Sequence, residues 1–248
     1  MKTQEMLQKE EALERRIESY WDARSPAFSD VRRRELEGPD AALWQQLIER
    51  HLPQGRPLRV LDVGTGAGFF VVLLTRMGHE VTGIDMSAGM IDAAQKNLAV
   101  FGCWADLRKM NAQQLDFSDE SFDVVISRNL TWTLPDAMQA YREWRRVLRA
   151  GGMLLNFDSD YGETTFSAAD AQDSVHTGIC EALLIECNKI KDELRVSTHR
   201  RPLWDAALLE KLGFSVQYDA DVTPLVHGDE SLRYDDVPLF GVYAKKVK

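Results

Sequence analysis

The chain has little cysteine and no long apolar run. Its 248 residues include only Cys103, Cys180 and Cys187, which are too few and too scattered for the disulfide framework of a small secreted domain. We therefore expect a reducing, cytoplasmic location. No apolar stretch approaches the ~20 residues that a helix needs to span a bilayer. Residues 1–16 are rich in Glu, Gln and Lys and lack the apolar core of a signal peptide, so we expect neither a membrane span nor a secretory leader.

Positive charge is also scarce. The chain has 30 Lys and Arg against 39 Asp and Glu, a formal net charge of −9. Proteins that bind DNA or RNA in bulk neutralise phosphates with basic side chains, so this balance argues against bulk nucleic acid as a partner. A hydrophobic content of 44% and a charged content of 28% are typical of a globular protein. The length suits one α/β domain with additions.

The most informative segment is Leu-Asp-Val-Gly-Thr-Gly-Ala-Gly at residues 61–68, between an apolar strand and a helix-like run. Alternate glycines, Gly64, Gly66 and Gly68, let the backbone turn tightly and approach a ligand where a Cβ would fill the space. Asp85 ends the next apolar strand, 21 residues after Gly64. That spacing suits a carboxylate that accepts hydrogen bonds from ribose hydroxyls. The two motifs together indicate a nucleoside-bearing cofactor.

The residues around the loop narrow the choice of cofactor. A dinucleotide site has a third glycine at the position of Phe69, and Asp62 before the glycines suits a cofactor with a cationic amino-acid end. On these residues the chain resembles the class I S-adenosylmethionine (SAM)-dependent methyltransferases. Val60 to Gly68 is similar to that family's first motif, and Asp85 to its ribose-binding acid. The resemblance covers residues 56–158 well and the two ends loosely.

The resemblance implies a fold and an activity. The implied fold is α/β and Rossmann-like: a seven-stranded, mostly parallel sheet with its last strand antiparallel, and helices on both faces. The implied activity is methyl transfer from SAM to a small-molecule nucleophile, with S-adenosylhomocysteine as the product. Three alternatives stay open: a methyltransferase of RNA or protein, a SAM-binding sensor or partner protein without turnover, and an NAD-dependent oxidoreductase, which Phe69 disfavours.

Strands and helices alternate after the glycine loop, which is typical of a parallel sheet covered by helices. The last two strands have no predicted helix between them and are expected to form an antiparallel pair at the sheet edge. The block Ala150-Gly151-Gly152 predicts the cap at a helix C-terminus. The predicted strands are 58–63, 80–85, 104–109, 122–127, 152–157, 214–222 and 239–245, and the predicted helices are 67–77, 87–100, 136–148 and 204–212, with a mostly helical insertion at 161–199.

Four segments follow from this pattern. Residues 1–55 are predicted as a helical lid, with helices at 4–23 and 40–51 and a break at Ser25-Pro26. The remaining segments are a SAM-binding core at 56–160, a helical insertion for substrate recognition at 161–202, and a helix with an antiparallel strand pair at 203–248 that completes the core.

Ligands of open α/β sheets bind beyond the carboxyl ends of the strands, so most candidate site residues follow strands. Asn111 stands where similar methyltransferases usually have an acid for the adenine amino group, but it keeps an acceptor oxygen. Met86 suits an adenine face or the core. The candidate cofactor-binding residues are Asp62, Gly64, Thr65, Gly66, Gly68, Asp85, Met86, Asn111, Ala112, Arg128, Tyr20 and Phe28.

The candidate catalytic residues follow the fourth and fifth strands. Arg128, beside Asn129, could bind an anionic acceptor as a bidentate donor or sit at a helix C-terminus. Asp158 and Tyr161 could take a proton from the nucleophile, although acids in a loop are often simply solvated. The run His199-Arg200-Arg201-Pro202 could likewise complement an anionic substrate or lie in a solvated turn.

The insertion also contains His176, Cys180 and Cys187, which fall within about 40° of one face if the segment is one helix. Such a stripe could hold a soft metal, but cysteine is among the most buried residue types. We therefore predict a core stripe and no metal site. For assembly, we expect a monomer or a homodimer.

Overall fold

The computed structural model of the protein describes residues 3–168, 174–175 and 177–247. Seven strands form one sheet, in the order β3-β2-β1-β4-β5-β7-β6. The strands are β1 (Arg59–Val63), β2 (Glu80–Asp85), β3 (Asp106–Lys109), β4 (Phe122–Arg128), β5 (Leu148–Ser159), β6 (Phe214–Asp219) and β7 (Leu239–Lys246). The helices are α1 (Gln4–Glu37), α2 (Asp40–Glu49), α3 (Phe69–Arg76), α4 (Ala88–Val100), α5 (Ala137–Val147), α6 (Glu181–Glu193), α7 (Leu203–Lys211) and α8 (Thr223–Val226).

The sheet has the predicted seven-stranded arrangement. Strand β1 pairs in parallel with β2 on one side and with β4 on the other, so the strand order reverses between β1 and β4. Only β7 runs against its neighbours, β5 and β6. The carboxyl ends of β1 to β5 therefore meet at one edge, where the reversal opens a crevice. This confirms the predicted fold class.

Helices cover both faces of the sheet and bury two apolar clusters. On one face, Trp44 of α2 packs on Phe70 of α3 and Phe157 of β5, with ring centroids 5.1 and 4.9 Å apart. On the other face, Tyr141 and Trp144 of α5 are fully buried. None of the described helices is long and apolar enough to cross a membrane.

The predicted helix break at Ser25-Pro26 is wrong, because α1 continues through Pro26 to Glu37. Proline has no backbone N–H, so a proline inside a helix leaves the carbonyl of residue i−4 without its donor. Here the Ser25 hydroxyl donates to that carbonyl, Asp22 O, at 2.9 Å. The Asp22 carboxylate in turn accepts from the Gly89 N–H at 3.0 Å and from the Ser87 hydroxyl. These contacts hold the helix continuous and tie it to the start of α4.

Other predicted boundaries also move. Ala150, Gly151 and Gly152 lie within β5 rather than at a helix cap, since α5 ends at Val147 and the β4–β5 register shifts between Phe122 and Val124. One helical turn, α8, separates β6 from β7. The segment after β5 begins with non-helical residues 160–167 and then contains α6 and a 3-10 turn, Arg195–Thr198.

Candidate functional site

A cavity of about 670 Å³ lies at the carboxyl ends of the strands, and we call it the strand-end cavity. Helix α1 passes over it, so the cavity has the sheet edge as its floor and a helix as its roof. The floor is lined by Gly64, Gly66, Asp85, Met86, Asn111, Ala112, Asn129 and Leu130, and the roof by Glu14, Ile17, Trp21 and Phe28.

The glycine loop forms a cradle for a ligand. Gly64 and Gly66 have φ angles of +67° and +53°, which side chains rarely adopt. A Cβ on Gly64 would lie 2.8 Å from the Leu130 side chain, whereas a Cβ on Gly66 would meet no atom within 4 Å and would enter the space of the cavity. A ligand can therefore approach the Gly66 backbone as closely as the sequence predicts, which fits the amino-acid end of SAM.

Replacing Gly66 with alanine is expected to weaken S-adenosylhomocysteine binding about fivefold, or about 1 kcal/mol, because the methyl group occupies ligand space. The measurement is calorimetric titration. Gly102→Ala is the matched control, since Gly102 has a φ of +62° and also has no atom within 4 Å of its Cβ position. Equal affinities of the two variants would show that the ligand does not touch Gly66.

Asp85 lies on the wall of the strand-end cavity, held by two backbone donors. Its Oδ2 accepts from the Gly66 N–H and its Oδ1 from the Ser87 N–H, both at 2.9 Å. Burial raises the pKa of this carboxyl to about 6, and the backbone hydrogen bonds oppose that shift. Asp85 is half-buried and lines the cavity, and each of its oxygens can accept a further hydrogen bond, as from a ribose hydroxyl.

Asp62, Thr65 and Gly68 support the loop from behind and do not line the cavity. Asp62 is 1% exposed and accepts from the Thr65 hydroxyl at 2.6 Å, while burial raises its pKa to about 7. A Cβ on Gly68 would lie 3.1 Å from Ala94 of α4, so this glycine permits close helix packing. Asp62, which was predicted to orient the cofactor ammonium, therefore lies behind the glycine loop rather than on the cavity wall.

Arg128 does not line the strand-end cavity, contrary to its predicted roles. Its guanidinium donates to Glu35 of α1 at 2.6 Å and lies 4.8 Å from the Trp44 ring. Burial alone would raise the pKa of Glu35, but Arg128 and Arg32 lower it to about 2. This pair anchors α1 to the end of β4, so Arg128 is not available to an anionic acceptor.

Asp158 is also committed to the structure rather than to a substrate. It is fully buried and accepts from the Trp132 N–H at 3.0 Å and from the Arg201 guanidinium at 3.2 Å. Arg201 bonds as well to both oxygens of Asp205, at 2.8 and 2.9 Å. Neither Asp158 nor Arg201 is therefore solvated or free, and together with Asp205 they form a buried network under the turn that carries Trp132.

A second cavity, of about 880 Å³, adjoins the first and is called the aromatic cavity. The Trp132 and Tyr161 rings are 5.0 Å apart, and those of Tyr161 and Phe166 are 5.2 Å apart. Trp21, Phe28 and Asn129 line both cavities, so the two cavities adjoin at these residues. Its further walls include Tyr20, Arg24, Val31, Ile179, Leu184, Cys187 and Asp235.

Asn129 lies at the junction with an unusual backbone, at a φ of +53°. Its N–H donates to Phe157 O at 2.8 Å, and its carbonyl accepts from the Trp132 indole N–H at 3.1 Å. Its side-chain Oδ1 is buried, and no group in the described part of the chain donates to it. A buried acceptor without a partner is costly, which indicates that a ligand supplies the donor.

The opposite end of the strand-end cavity is polar. Asn111 Oδ1 accepts from the Gln113 N–H at 2.9 Å, which turns the Asn111 amino group toward Glu14. Glu14 Oε1 accepts from Asn111 Nδ2 at 3.0 Å and from Gln113 Nε2 at 2.7 Å. A carboxylate from α1 thus stands next to the residue that was predicted to contact the adenine.

The predicted cysteine stripe does not form. Cys180 precedes the first turn of α6 in extended backbone and is exposed, whereas Cys187 is buried within the helix. His176 lies outside the described residues. Among the residues that the structure describes, no group of three His, Cys, Asp or Glu side chains could hold a metal ion.

The structure therefore brings together part of the predicted site. Sequence reasoning missed Glu14 and Gln113, which carry no local signal, and the pairing of Arg201 with Asp158. The strand-end cavity is lined by seven of the predicted cofactor residues: Gly64, Gly66, Asp85, Met86, Asn111, Ala112 and Phe28. The aromatic cavity is lined by an eighth, Tyr20, and neither cavity is lined by Asp62, Thr65, Gly68 or Arg128. Of the predicted catalytic residues, Asn129 and Tyr161 line a cavity.

Comparison with known proteins agrees with this geometry. A family model described as a methyltransferase domain matches residues 61–156. A phosphatidylethanolamine N-methyltransferase from Cereibacter sphaeroides is 38% identical over 99 residues, which are 39% of this chain and 48% of that protein. A malonyl-[acyl-carrier protein] O-methyltransferase from Erwinia pyrifoliae is 37% identical over 118 residues, covering 46% and 44% of the two chains. The chain thus spans about half the length of the curated relatives it matches.

The fold has solved counterparts. A SAM-dependent methyltransferase from Aquifex aeolicus superposes with a TM-score of 0.57 at 18% identity, covering 86% of this chain and 96% of the other. At that identity the likeness concerns the fold alone.

Proposed function

We propose that this protein, whose residues 61–156 belong to the class I SAM-dependent methyltransferases, methylates a small molecule bound in the aromatic cavity. The observation that carries this proposal is that the two cavities adjoin and share Trp21, Phe28 and Asn129 as walls. A cofactor held on the glycine loop and Asp85 would meet an acceptor at that junction. The activities of the two relatives, on phosphatidylethanolamine and on malonyl-[acyl-carrier protein], support a methyltransferase without identifying the acceptor of this protein.

The chain's own residues would hold the cofactor and align the acceptor. Bound SAM supplies an electrophilic methyl group, and its transfer leaves S-adenosylhomocysteine. Gly64 and Gly66 leave room for the amino-acid end, and Asp85 accepts from the ribose. Such a displacement depends mainly on holding the two reacting atoms in line.

Asn129 is proposed to position the nucleophile. Its buried Oδ1 can accept a hydrogen bond from an O–H or N–H of the acceptor, which points the lone pair of that atom toward the strand-end cavity. An amide oxygen accepts hydrogen bonds but does not remove a proton, so this contribution is orientation. Tyr161 is no base in this setting, because burial and the nearby Asp235 carboxylate raise the pKa of its hydroxyl well above the usual value.

The walls of the aromatic cavity favour an apolar acceptor. Seven aromatic side chains line it, and such walls exclude water and bury a large apolar area. Arg128 and Arg201, on which the expectation of an anionic acceptor rested, are paired with buried carboxylates. Arg24 and Arg32 line the aromatic cavity, so an anionic group on the acceptor stays a prediction. We propose residues 1–55 as the lid and residues 161–202 as the acceptor-recognition segment. A cytoplasmic location and a monomer or homodimer remain predictions.

The test is transfer of labelled methyl groups from SAM to a panel of apolar phenols and amines. With an accepted compound, Asn129→Gly is expected to lower kcat/KM for the acceptor about fivefold, at about 1 kcal/mol for one hydrogen bond, and to leave the KM for SAM unchanged. Glycine tolerates the positive φ, so the backbone is kept. Glu120→Gly is the control, since Glu120 has a φ of +54° and is exposed.

Two outcomes would contradict the proposal. If S-adenosylhomocysteine binds but no compound, RNA or protein is methylated, a SAM-binding protein without turnover is the better description. If the Asn129 and Glu120 variants behave alike, Asn129 does not position the acceptor.

A further inference from the structure

At the polar end of the strand-end cavity, a carboxylate that could accept a hydrogen bond comes from helix α1 rather than from the end of a strand. The sheet order β3-β2-β1 sets the glycine loop, after β1, and Asn111, after β3, on opposite sides of Asp85, after β2. A cofactor with its amino-acid end on the loop and its ribose on Asp85 therefore directs its base toward Asn111. This argument rests on the proposed function, because it takes SAM as the ligand.

Asn111 is poorly arranged to read the amino group of an adenine. Its oxygen already accepts from the Gln113 N–H, and its amino group donates to Glu14. An N–H donor of the base needs an acceptor, and the amide presents mainly a donor. The Gln113 side chain is equally engaged, because its oxygen accepts from the Asp136 N–H at 2.6 Å.

Glu14 supplies the missing acceptor. Two side-chain amino groups fix its Oε1, and no residue in the described ranges donates to its Oε2. The residue lines the strand-end cavity although it lies on α1, 97 positions before Asn111. A carboxylate held by two donors is a strong, well-oriented acceptor.

We propose that Glu14 recognises the adenine amino group of the cofactor, in place of an acid at the end of β3. The base is then read by the helix that roofs both cavities, and full cofactor affinity requires α1 to be in place. Asn111 and Gln113 act as positioning residues, because they hold Glu14 and do not themselves accept from the base.

The experiment compares two ligands by calorimetric titration: S-adenosylhomocysteine and S-inosylhomocysteine, in which an oxygen replaces the amino group. We expect Glu14→Gln to weaken binding of the first about tenfold and to change binding of the second little. Adding Asn111→Asp to Glu14→Gln restores an acceptor at the end of β3 and is expected to recover most of the lost affinity. Glu11→Gln, an exposed acid on the same helix, is the control and is expected to change neither affinity.

The failures are distinguishable. If the wild-type protein does not bind S-adenosylhomocysteine, the proposed function fails and this inference fails with it. If it binds but Glu14→Gln leaves the affinity unchanged, or weakens both ligands equally, only the role of Glu14 is overturned. Melting temperatures of each variant separate a loss of recognition from a loss of folding.

Discussion

Replacing Arg201 with methionine is expected to lower the free energy of unfolding by about 3–5 kcal/mol, the usual cost of removing one partner from a buried ion pair. Arg201 is almost wholly buried between Asp158 and Asp205, whose side chains have no exposed surface. Methionine matches the length of the stem but leaves both carboxylates without their cation. The cost of an uncompensated buried charge exceeds any gain from the added apolar surface.

The measurement is thermal unfolding. For a chain of this size the loss corresponds to a fall in melting temperature of roughly 6–20 °C. Arg200→Met is the matched control, because Arg200 is the preceding residue and is exposed. If both variants melt at the same temperature as the wild type, the network around Asp158 does not stabilise the fold.

Replacing Asp85 with alanine is expected to weaken S-adenosylhomocysteine binding at least tenfold. A hydrogen bond to a charged group contributes roughly 1.5–3 kcal/mol, and each 1.4 kcal/mol is about a tenfold change in affinity. Part of the lost affinity is expected to come from a less ordered glycine loop, because Asp85 accepts hydrogen bonds from the Gly66 and Ser87 N–H groups. Asp92→Ala, an exposed acid on α4, is the control and is expected to keep full affinity.

The charge of Asp85 gives a second, pH-dependent measurement. Burial raises its pKa to about 6, so the carboxylate that binds the ribose is lost as the pH falls through 6. Affinity for S-adenosylhomocysteine is expected to decline below that pH in the wild-type protein. In Asp85→Asn the decline is expected to be much smaller. An identical pH profile for the two proteins would place the ribose elsewhere.

Most of the fold could be predicted from local sequence patterns. The apolar strands before Gly64 and Asp85 and the helices between them can be predicted from residue spacing alone. As expected, six of the seven strands run in one direction and the last strand runs against them. The predicted ends of helices and strands were wrong where a tertiary contact outweighed a local sequence preference. Pro26 should end a helix, but the Ser25 hydroxyl and the ties of Asp22 keep α1 intact.

The site was harder to predict because its remaining parts come from distant segments. The i,i+4 spacing of Arg201 and Asp205 is visible in the sequence, whereas Asp158 joins them from 43 positions away. Glu14 lies among several acids on an exposed-looking helix, and nothing nearby distinguishes it. Polar residues after strands were placed correctly at the sheet edge, but Arg128 and Asp158 proved to be paired inside the protein rather than open to a ligand.

The unbroken helix α1 has a consequence for the timing of turnover. Glu14 lies over one cavity and Phe28 borders both, fourteen residues and about 21 Å apart along one helix. Between Glu14 and Phe28, Asp22 accepts hydrogen bonds from Ser87 and Gly89, shortly after Asp85, the acid proposed to bind the ribose. A movement of α1 that admits the acceptor therefore also loosens the grip on the cofactor. Both ligands would then enter and leave when α1 moves away from the sheet edge. The rate of this movement, rather than the rate of methyl transfer, would limit turnover.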